Sequence, residues 1–272
     1  MPTAFVLLDD QSPLITYDDT WAYGYSWGDD TISYYYRGTF TVSAQPNAQS
    51  ATFSLNGTGV AVYGSQRFNH GEYSVSVDGQ TNTADGYSST NAFQKALFTQ
   101  SGLQQGMHSI TITNTGSGNK TDFDVDFVTW EFEVGDDSQG LLSVQVQDTD
   151  PSFDYQPASA WSDSPSQAYM YNNGSAHATS VDGASVTLTF TASDVINLYG
   201  TAGPSNGFYS VSMDGVAGDT YNATRYLTSY QNIIYHANNL GPGEHKLTVT
   251  SQPQAGGQYL NIDYAEVMVL TK

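Results

Sequence analysis

An internal repeat is the feature that most constrains this chain. A Tyr-Gly pair, a short loop, a Tyr-Ser-Val-Ser segment and an Asp-Gly pair occupy residues 63–79, and the same order returns in residues 199–215, 136 positions after its first occurrence. A Gly-x-His motif follows each block, at 106–108 and 243–245, and an Asp with an aromatic neighbour comes 18 residues after each His. Because the spacing is kept over so many positions, the chain consists of two copies of one domain.

The boundary between the copies is predicted in a polar segment flanked by glycines, residues 135–140. Beyond it, residues 141–147 restart the pattern of residues 5–8, so the repeat reaches the beginning of both copies. We therefore predict two domains, residues 1–138 and 139–272. Each is large enough to bury a core without covalent crosslinks, and the chain has no Cys to form them.

The composition favours an all-β protein. The chain has 20 Tyr and 26 Gly but only 12% charged residues, and Ser, Thr and Val are frequent between its turn residues. Apolar and polar residues alternate, for example in 73–77 and 186–190, which is typical of strands with one buried and one solvated face. We predict two tandem antiparallel β-sandwiches of about eight strands each. A short helical turn is expected near 91–97 or 225–230.

These motifs resemble a known fold family. The Tyr-Gly pair, the Tyr-Ser-Val-Ser-x-Asp-Gly segment, the Gly-x-His motif and a last strand such as residues 260–267 are similar to galactose-binding-like jelly rolls of fungal, especially basidiomycete, surface and secreted proteins. The resemblance covers nearly the whole chain. It implies a jelly-roll sandwich in each domain, and a family that includes carbohydrate-binding modules, lectins and accessory domains of glycosidases. A fold alone does not define the ligand.

The charge narrows the range of partners. Seven basic residues stand against 27 acidic ones, a net charge of −20, so nucleic acid and anionic membranes are excluded as expected partners. A neutral ligand is favoured, and no segment is apolar enough to insert into a bilayer. We expect a secreted or cell-surface protein, because four Asn-x-Ser/Thr sequons occur. The predicted glycosylation sites are Asn56, Asn119, Asn173 and Asn222.

One loop of the first domain is the main candidate for a ligand site. It contains Arg67 and His70, in a chain that has few residues of either type, and its aromatic residue is Phe68. Side chains that hydrogen-bond hydroxyl groups, next to an aromatic face, are the combination that holds a sugar. The corresponding loop of the second domain, residues 201–206, has neither charged nor aromatic residues, which favours a role specific to the first domain; a surface loop whose Arg pairs with a nearby carboxylate is the alternative. The predicted ligand-binding residues of the loop are Gln66, Arg67, Phe68, Asn69 and His70.

A second candidate surface is aromatic. Trp21, Tyr23, Tyr25 and Trp27 alternate along an extended segment and would lie on one side of it. Trp21 is predicted in the core, because Trp161 matches it in the second copy. Neighbouring glycines and aspartates favour exposure of Trp27. Tyr25 and Trp27 are therefore the candidate stacking residues for a sugar, and burial in the sandwich core is the alternative for both.

Carboxylates provide candidates for a structural calcium ion, which galactose-binding-like folds often carry. Asp122, Asp124 and Asp126 alternate with apolar residues and would share one face of a strand. A solvated strand face explains the same pattern, so we expect no obligatory cofactor. Asp126 and its counterpart Asp263 occur in both copies, and so does the His of each Gly-x-His motif; residues that both copies keep are predicted to be structural.

Together these features predict carbohydrate binding without catalysis. The expected ligand is a neutral cell-wall polysaccharide or oligosaccharide, bound outside the cell, with the main site in domain 1. One alternative is a glycoside hydrolase acting on a neutral β-glucan, or a polysaccharide lyase. Another is a surface module that binds a protein through its many tyrosines. No sequence motif of a known catalytic centre selects an enzyme.

Overall fold

The computed structural model describes residues 1–24, 30–44, 49–191 and 193–271. About 61% of the chain is strand, and no helix of seven or more residues occurs in these ranges. The prediction of an all-β protein with antiparallel sheets is confirmed. The chain forms two compact units, Thr3–Glu133 (domain 1) and Val134–Lys272 with Met1–Pro2 (domain 2). These limits fall a few residues before the predicted boundary at 138/139, which stays a prediction.

The described residues of domain 1 form twelve strands in three antiparallel sheets. The sheets have the orders β1-β12-β6-β9, β2-β5-β10-β7-β8 and β11-β4-β3. Two 3-10 turns, Ile32–Tyr34 and Tyr36–Gly38, precede β4. The strands are β1 (Thr3–Asp9), β2 (Thr16–Tyr17), β3 (Ala22–Gly24), β4 (Phe40–Ser43), β5 (Gln49–Gly57), β6 (Gly59–Gln66), β7 (Glu72–Val77), β8 (Gln80–Asp85), β9 (Ala92–Gln100), β10 (Gly106–Asn114), β11 (Phe123–Val125) and β12 (Phe127–Glu133).

The described residues of domain 2 form ten strands in two antiparallel sheets, whose strand orders correspond to those of the two larger sheets of domain 1. One sheet has the order β13-β22-β17-β20, with β15 paired to β22, and the other has the order β14-β16-β21-β18-β19. The 3-10 turns are Ala158–Ala160, Ala168–Met170 and Asn172–Gly174. The strands are β13 (Gly140–Gln147), β14 (Phe153–Gln156), β15 (His177–Thr179), β16 (Ser185–Thr191), β17 (Ser193–Ala202), β18 (Phe208–Met213), β19 (Val216–Asn222), β20 (Ser229–Asn238), β21 (Glu244–Gln252) and β22 (Leu260–Thr271).

The expected helical turns are absent from both predicted segments, which the structure describes in full. Residues 92–100 form β9 and pair with β6, while β20 begins at Ser229 and residues 225–228 are irregular. Gln94, inside the first segment, has a φ angle of 50°, which a right-handed helix excludes. Pairing of β9 with β6 therefore decides the conformation of the first segment, whereas only the last two residues of the second, 229 and 230, belong to a strand. Nor does any helix in the described part of the chain have the length and apolarity needed to cross a membrane.

The core of each domain lies between its sheets. In domain 2, Ile196 and Leu198 of one sheet pack in the same buried cluster as Leu247 and Val249 of the other. Strand β17 alternates these buried residues with Asn197 and Tyr199, so the opposite face of the sheet is directed away from the core. In domain 1, the predicted core residue Trp21 is also buried.

The Tyr-Gly motif of the repeat has the same structural role in both domains. A Cβ atom on Gly64 would lie 2.4 Å from the carbonyl oxygen of Asp124, and one on Gly200 would lie 2.3 Å from that of Asn261. Only glycine lets the neighbouring strand approach so closely. The tyrosine that precedes each glycine stacks on the next strand, and the Tyr63–Phe127 ring centroids are 4.3 Å apart.

The Asp-Gly and Gly-x-His motifs form one unit. Asp78 and Gly79 both have positive φ angles, 50° and 81°, as a tight hairpin turn between β7 and β8 requires. The Asp78 carboxylate then contacts the His108 ring at 2.6 Å and accepts a hydrogen bond from the Ser109 N–H group at 2.9 Å. Domain 2 repeats the clamp with Asp214 and His245 at 2.8 Å. Both histidines therefore connect a hairpin turn to the neighbouring strand.

Candidate functional site

The candidate loop of domain 1, residues 65–71, is held at several points along its backbone. The Arg67 N–H group donates to the Gly86 carbonyl at 3.2 Å, and the His70 N–H group donates to the Arg67 carbonyl at 3.2 Å. At the end of the loop, the Gly71 N–H group donates to the Asp122 carbonyl at 3.1 Å, which connects the loop to the residue directly before β11. These bonds give the loop a defined conformation at the end of β6.

The loop side chain of His70 points into the domain. It is 2% exposed, and its Nε2 atom lies 2.9 Å from Oδ2 of the fully buried Asp124. The same carboxylate oxygen accepts hydrogen bonds from the hydroxyl groups of Ser65 at 2.6 Å and Tyr35 at 2.7 Å. The other oxygen accepts the Ser65 N–H group at 2.6 Å. Asp124 is therefore the centre of a buried network that attaches the loop to the interior of the domain.

This network determines the charge of its members. Burial raises the pKa of the Asp124 carboxyl, but the hydrogen bond and charge of His70, with the hydroxyl groups of Ser65 and Tyr35, outweigh burial and leave the pKa below its ordinary value. The pKa of the Tyr35 phenol is raised, by burial and by the Asp124 charge. Asp124 is consequently ionised and Tyr35 neutral over the physiological range.

Ser65, His70 and Asp124 have the residue types of a catalytic triad but not its geometry. In a triad the histidine uses one ring nitrogen for the serine and the other for the carboxylate. Here Nε2 alone faces both, 3.2 Å from Ser65 Oγ and 2.9 Å from Asp124 Oδ2. None of the three side chains is more than 2% exposed, so a substrate cannot reach them in this conformation. The network is a structural one.

Asn69 extends the network towards the surface. Its side-chain amide donates to Asp122 at 2.5 Å, and its oxygen lies 3.2 Å from Nδ1 of His70. Gln66 is half-buried at the end of β6, where it pairs with Ala92 of β9. Asn69 and His70 therefore hold the loop, and a direct contact of either with a ligand stays a prediction.

The outer part of the loop combines an exposed aromatic residue with a half-buried cation, Arg67. Phe68 is 64% exposed. The guanidinium carbon of Arg67 lies 5.7 Å from the ring centroid of Phe93, on which Tyr34 stacks at 5.2 Å. Arg67 also donates to the hydroxyl group of Tyr35 at 3.5 Å, so the buried network extends to the surface cation. The structure thus brings Arg67 and Phe68 together with aromatic residues from other segments.

A second cation completes this surface. Lys120 Nζ lies 3.4 Å from the ring centroid of the exposed Tyr87, and Tyr87 forms a backbone bridge with Arg67. Sequence reasoning missed Tyr87, Phe93 and Lys120. A signal was available, because Thr224 and Gly257 occupy the positions of Tyr87 and Lys120 in domain 2, the same kind of asymmetry that singled out the loop. The other two predicted site residues, Tyr25 and Trp27, lie outside the described residues.

Domain 2 builds the buried network without charge. Asn206 stands at the position of His70 and donates to Oδ1 of Asn261, the counterpart of Asp124, at 2.9 Å. Asn261 in turn donates to the hydroxyl group of Tyr171 at 3.3 Å. The surface above it also differs: Arg225 is buried and its Nη1 donates to the carbonyl groups of Asn222 and Thr224 at 3.1 and 2.9 Å. The two domains therefore present different chemistry at the same end of the fold.

The three carboxylates proposed for calcium serve separate partners. Asp122 bonds to Asn69, Asp124 is enclosed by its network, and Asp126 accepts the Tyr36 N–H group at 2.8 Å. Among the described residues, no group of three or more His, Cys, Asp or Glu is arranged to hold a metal ion. Burial raises the pKa of Asp126 to about 8, with the charges of Asp10 and Asp124 adding to the effect. Burial likewise raises the pKa of Asp263 to about 7.

The four sequons differ in exposure. The side chains of Asn119 and Asn173 are exposed, whereas Asn56 and Asn222 are half-buried. The Asn56 side-chain oxygen accepts a hydrogen bond from Gln105 at 2.8 Å, and that of Asn222 accepts the Thr224 N–H group at 2.9 Å. Only the first two asparagines have side chains directed into solvent.

Comparison with known proteins shows only distant likeness. No protein-family model matches the sequence, and no curated protein matches it either. A Paenibacillus xanthan lyase is 16% identical with a TM-score of 0.36, and the match covers 100% of this chain and 27% of the lyase. The CBM36-1 domain of a multidomain xylanase from the hindgut metagenome of Trinervitermes trinervoides is 17% identical with a TM-score of 0.34, covering 46% of this chain and 96% of that domain.

A plant receptor ectodomain has a similar level of likeness. The extracellular domain of ANXUR2 from Arabidopsis thaliana is 9% identical with a TM-score of 0.34, and the match covers 99% of this chain and 97% of the ectodomain. The chain therefore spans about a quarter of the length of the xanthan lyase but nearly the whole of the ectodomain. At these levels of identity the likeness assigns no function to the chain.

Proposed function

We propose that this chain is a non-catalytic carbohydrate-binding protein that acts outside the cell, as a secreted or cell-surface protein of fungal type. The main site is the surface formed by Arg67 and Phe68 in domain 1, and the ligand is a neutral cell-wall polysaccharide or oligosaccharide. The observation that carries the proposal is the 64% exposure of Phe68 on a loop whose backbone and buried side chains are fixed. An exposed aromatic residue held in place loses little conformational freedom when it binds.

The residues around Phe68 have the chemistry that a sugar needs. An aromatic ring packs against the C–H face of a pyranose, while guanidinium, ammonium and phenol groups hydrogen-bond its hydroxyls. Arg67 lies beside Phe93, and Lys120 lies over Tyr87, which brings two cations and two further rings next to the loop. His70 and Asn69 support this surface from the interior, and Gln66 lies at its edge.

A catalytic alternative finds little support in the carboxyl groups. A glycosidase needs one carboxyl group that keeps its proton near neutral pH and is within reach of the glycosidic oxygen. Burial raises the pKa of Asp126 and of Asp263 into that range, but both side chains are fully buried. A protonated carboxyl group that no substrate can reach serves the fold and not a reaction.

A protein ligand is the second candidate function, and it rests on a different surface. In domain 2, Tyr169 is 80% exposed and Tyr226 is 58% exposed. Tyrosines of this kind are frequent in protein interfaces. If this alternative holds, a protein partner binds domain 2. Substitution of Tyr169 should then weaken that complex and leave polysaccharide binding unchanged.

Binding of polysaccharides by matched variants tests the proposal. Wild type, Phe68→Ala, Arg67→Ala and the control Tyr226→Ala are run in affinity gels that contain mixed-linkage β-glucan, xyloglucan, xylan or galactomannan. We expect retardation of the wild type in at least one gel, a loss of about tenfold in affinity for Phe68→Ala and Arg67→Ala, about 1.4 kcal/mol each, and no change for Tyr226→Ala. Unchanged binding by both domain 1 variants would overturn the assignment of the site. Release of reducing ends from the same polysaccharides by the wild type would overturn the non-catalytic reading.

A further inference from the structure

The outer face of one sheet in domain 2 carries a layer of polar residues that domain 1 lacks. A row of residues in register crosses the four strands β13, β22, β17 and β20, directed away from the core. The row consists of Gln145, Glu266, Asn197 and His236. The residues in the same register on β1, β12, β6 and β9 of domain 1 are Leu7, Thr129, Ala61 and Thr99.

Hydrogen bonds connect three residues of the row, Glu266, Asn197 and His236, into one network. Asn197 donates to Glu266 Oε2 at 3.1 Å, and its side-chain oxygen lies 2.7 Å from Nδ1 of His236. Glu266 also accepts the hydroxyl groups of Ser143 at 2.5 Å and Tyr199 at 3.2 Å. These bonds fix the position and orientation of the carboxylate on the sheet. They are absent from domain 1, where the corresponding side chains are apolar or short.

The fold does not require this network. Asn197 is only 3% exposed although it is directed away from the core, so its amide has been removed from water and must be compensated by its two partners. Domain 1 forms the same sheet with Ala61 at this position, at no such cost. A polar layer that one copy maintains and the other omits indicates a role specific to domain 2.

An aromatic row runs beside the polar one. On β17, Tyr199 lies two residues after Asn197, and on β22, Tyr264 lies two residues before Glu266. Both tyrosines are therefore on the same face of the sheet as the polar row. Their rings stack with centroids 4.2 Å apart and planes within 8°. The equivalent pair in domain 1, Tyr63 and Phe127, offers one hydroxyl group where this pair offers two.

From this arrangement we infer that the outer face of the β13-β22-β17-β20 sheet is a second binding site, for a neutral oligosaccharide that lies across the strands. Strands about 4.8 Å apart spread the four residues of the row over roughly 14 Å, so that an extended chain crossing them can reach the exposed Gln145 and the half-buried Glu266. Glu266 accepts hydrogen bonds from hydroxyl groups, Gln145 offers an exposed amide, and the tyrosines contact the sugar rings. Asn197 and His236 position Glu266.

The charge of the site selects a neutral ligand. The carboxylate of Glu266 repels the acid group of a uronic acid, whereas a hydroxyl group can donate to it. His236 adds no positive charge, because burial lowers the pKa of its ring to about 3 even though part of its surface stays accessible. The site is therefore distinct from the surface of domain 1, which presents Arg67 and Lys120.

Titration calorimetry of the full chain tests the inference, with cellohexaose, laminarihexaose, xylohexaose and mannohexaose as ligands. The variants are Glu266→Ala, Gln145→Ala, and the control Thr129→Ala at the position of Glu266 in domain 1. We expect at least tenfold weaker binding at one site for Glu266→Ala, a smaller loss for Gln145→Ala and no change for Thr129→Ala. Because Gln145 is exposed, its variant keeps the fold even where the Glu266 variant loses it.

Hydrogen exchange supplies a measurement that needs no variant. A saturating oligosaccharide should slow amide exchange in peptides from β17 and β22, and this protection should be lost in Glu266→Ala. Protection of these strands in Phe68→Ala supports the site in domain 2 independently of the one in domain 1. If no ligand of the panel protects β17 and β22, or if Glu266→Ala and Thr129→Ala bind like the wild type, the inference is wrong. Loss of binding in Phe68→Ala alone would then still support the proposed function.

Discussion

His70 and Asp124 are in contact in the interior of domain 1, with 2.9 Å between Nε2 and Oδ2, and domain 2 replaces the pair with Asn206 and Asn261 at the same distance of 2.9 Å. The two pairs occupy corresponding positions, since each connects the loop after a Tyr-Gly motif to a strand near the end of its domain, β11 in domain 1 and β22 in domain 2. The same fold therefore accommodates a His–Asp pair in one domain and an Asn–Asn pair at the corresponding buried position of the other.

Substitution of this pair should reveal how strongly its members depend on each other. His70→Asn leaves the buried carboxylate of Asp124 without its histidine partner, and removing one partner of a buried charged group costs about 3–5 kcal/mol. The double variant His70→Asn/Asp124→Asn recreates the neutral pair of domain 2. We therefore expect the double variant to be more stable than His70→Asn by at least about 1 kcal/mol. Urea unfolding, followed by tryptophan fluorescence, measures both free energies.

The single variant Asp124→Asn completes the cycle for the pair. It removes the charge but keeps an oxygen that can accept the hydroxyl groups of Ser65 and Tyr35. Two residues in contact should give a coupling energy of about 0.5–3 kcal/mol. Additive losses in the double variant, or a His70→Asn variant as stable as the wild type, would show that the pair is not a unit.

The close approach at the Tyr-Gly motif gives a second prediction. Gly64→Ala and Gly200→Ala each place a methyl group against a backbone carbonyl oxygen, at 2.4 and 2.3 Å. A main-chain oxygen in a sheet cannot move aside cheaply, so each variant should lose about 1–3 kcal/mol. Gly256→Ala is the control, because a Cβ atom there meets nothing within 4 Å. Differential scanning calorimetry should show lower melting temperatures for the first two variants and an unchanged melting temperature for the control.

Much of the fold could be predicted from the sequence because its information is local or repeated. The alternation of residues 73–77 and 186–190 defines strands, and two Asp-Gly turns define hairpins, so the all-β class followed directly. The repeat added what local patterns lack, since residues kept in both copies, such as His108 and His245, proved to be parts of the same structural clamp. A short helical turn was expected near residues 91–97, which nearly all belong to β9, because pairing with a distant strand is invisible in a local window.

The candidate site shows the opposite limit. The sequence identified the loop of residues 65–71 by its composition, but composition does not specify the direction of a side chain. His70 points inward, towards its partner Asp124. Because Asp124 lies 54 residues further along the chain, no local pattern in the sequence indicates this direction. Phe93 lies on β9 and Lys120 in the connection between β10 and β11, so neither could be joined to the loop without the topology of the sheets.

Exposure of the sequons leads to a third prediction. A glycan on Asn119 or Asn173 extends into solvent, whereas one on Asn56 or Asn222 replaces a side-chain hydrogen bond at a half-buried position. Secretion from a eukaryotic host should therefore give folded protein with glycans on the first two asparagines and not on the last two. Peptide mass spectrometry after release of the glycans measures occupancy at each site. Full occupancy of Asn56 in folded protein would contradict this expectation.

The dependence of stability on pH gives the fourth prediction, and Asp126 and Asp263 determine its direction. Burial raises the pKa of Asp126 to about 8 and that of Asp263 to about 7, from an ordinary value of 3.8. Between pH 4 and these values the folded state binds more protons than the unfolded state. The free energy of unfolding therefore falls as the pH rises through this window.

The two Asp–His clamps act in the same direction above neutral pH. Hydrogen bonds to Asp78 and the Gln104 carbonyl outweigh burial and raise the pKa of His108, and corresponding bonds raise the pKa of His245. A raised histidine pKa contributes stability that is present below its unfolded value and is lost as the pH rises through the folded value. The clamp carboxylates have lowered pKa values, so their contribution is lost only in acid.

Melting temperature measured from pH 3 to pH 9 should therefore reach its maximum in mild acid, about pH 4–5, and decrease steadily towards pH 8. Asp126→Asn/Asp263→Asn cannot ionise at either buried position, so its melting temperature should depend less on pH between 5 and 8 and should exceed that of the wild type at pH 8. The control is Asp19→Asn, which removes an exposed carboxylate from domain 1. It should leave the shape of the curve unchanged. A wild-type protein that is most stable at pH 8, or a double variant with the same decline as the wild type, would show that the buried carboxyl groups do not control this dependence.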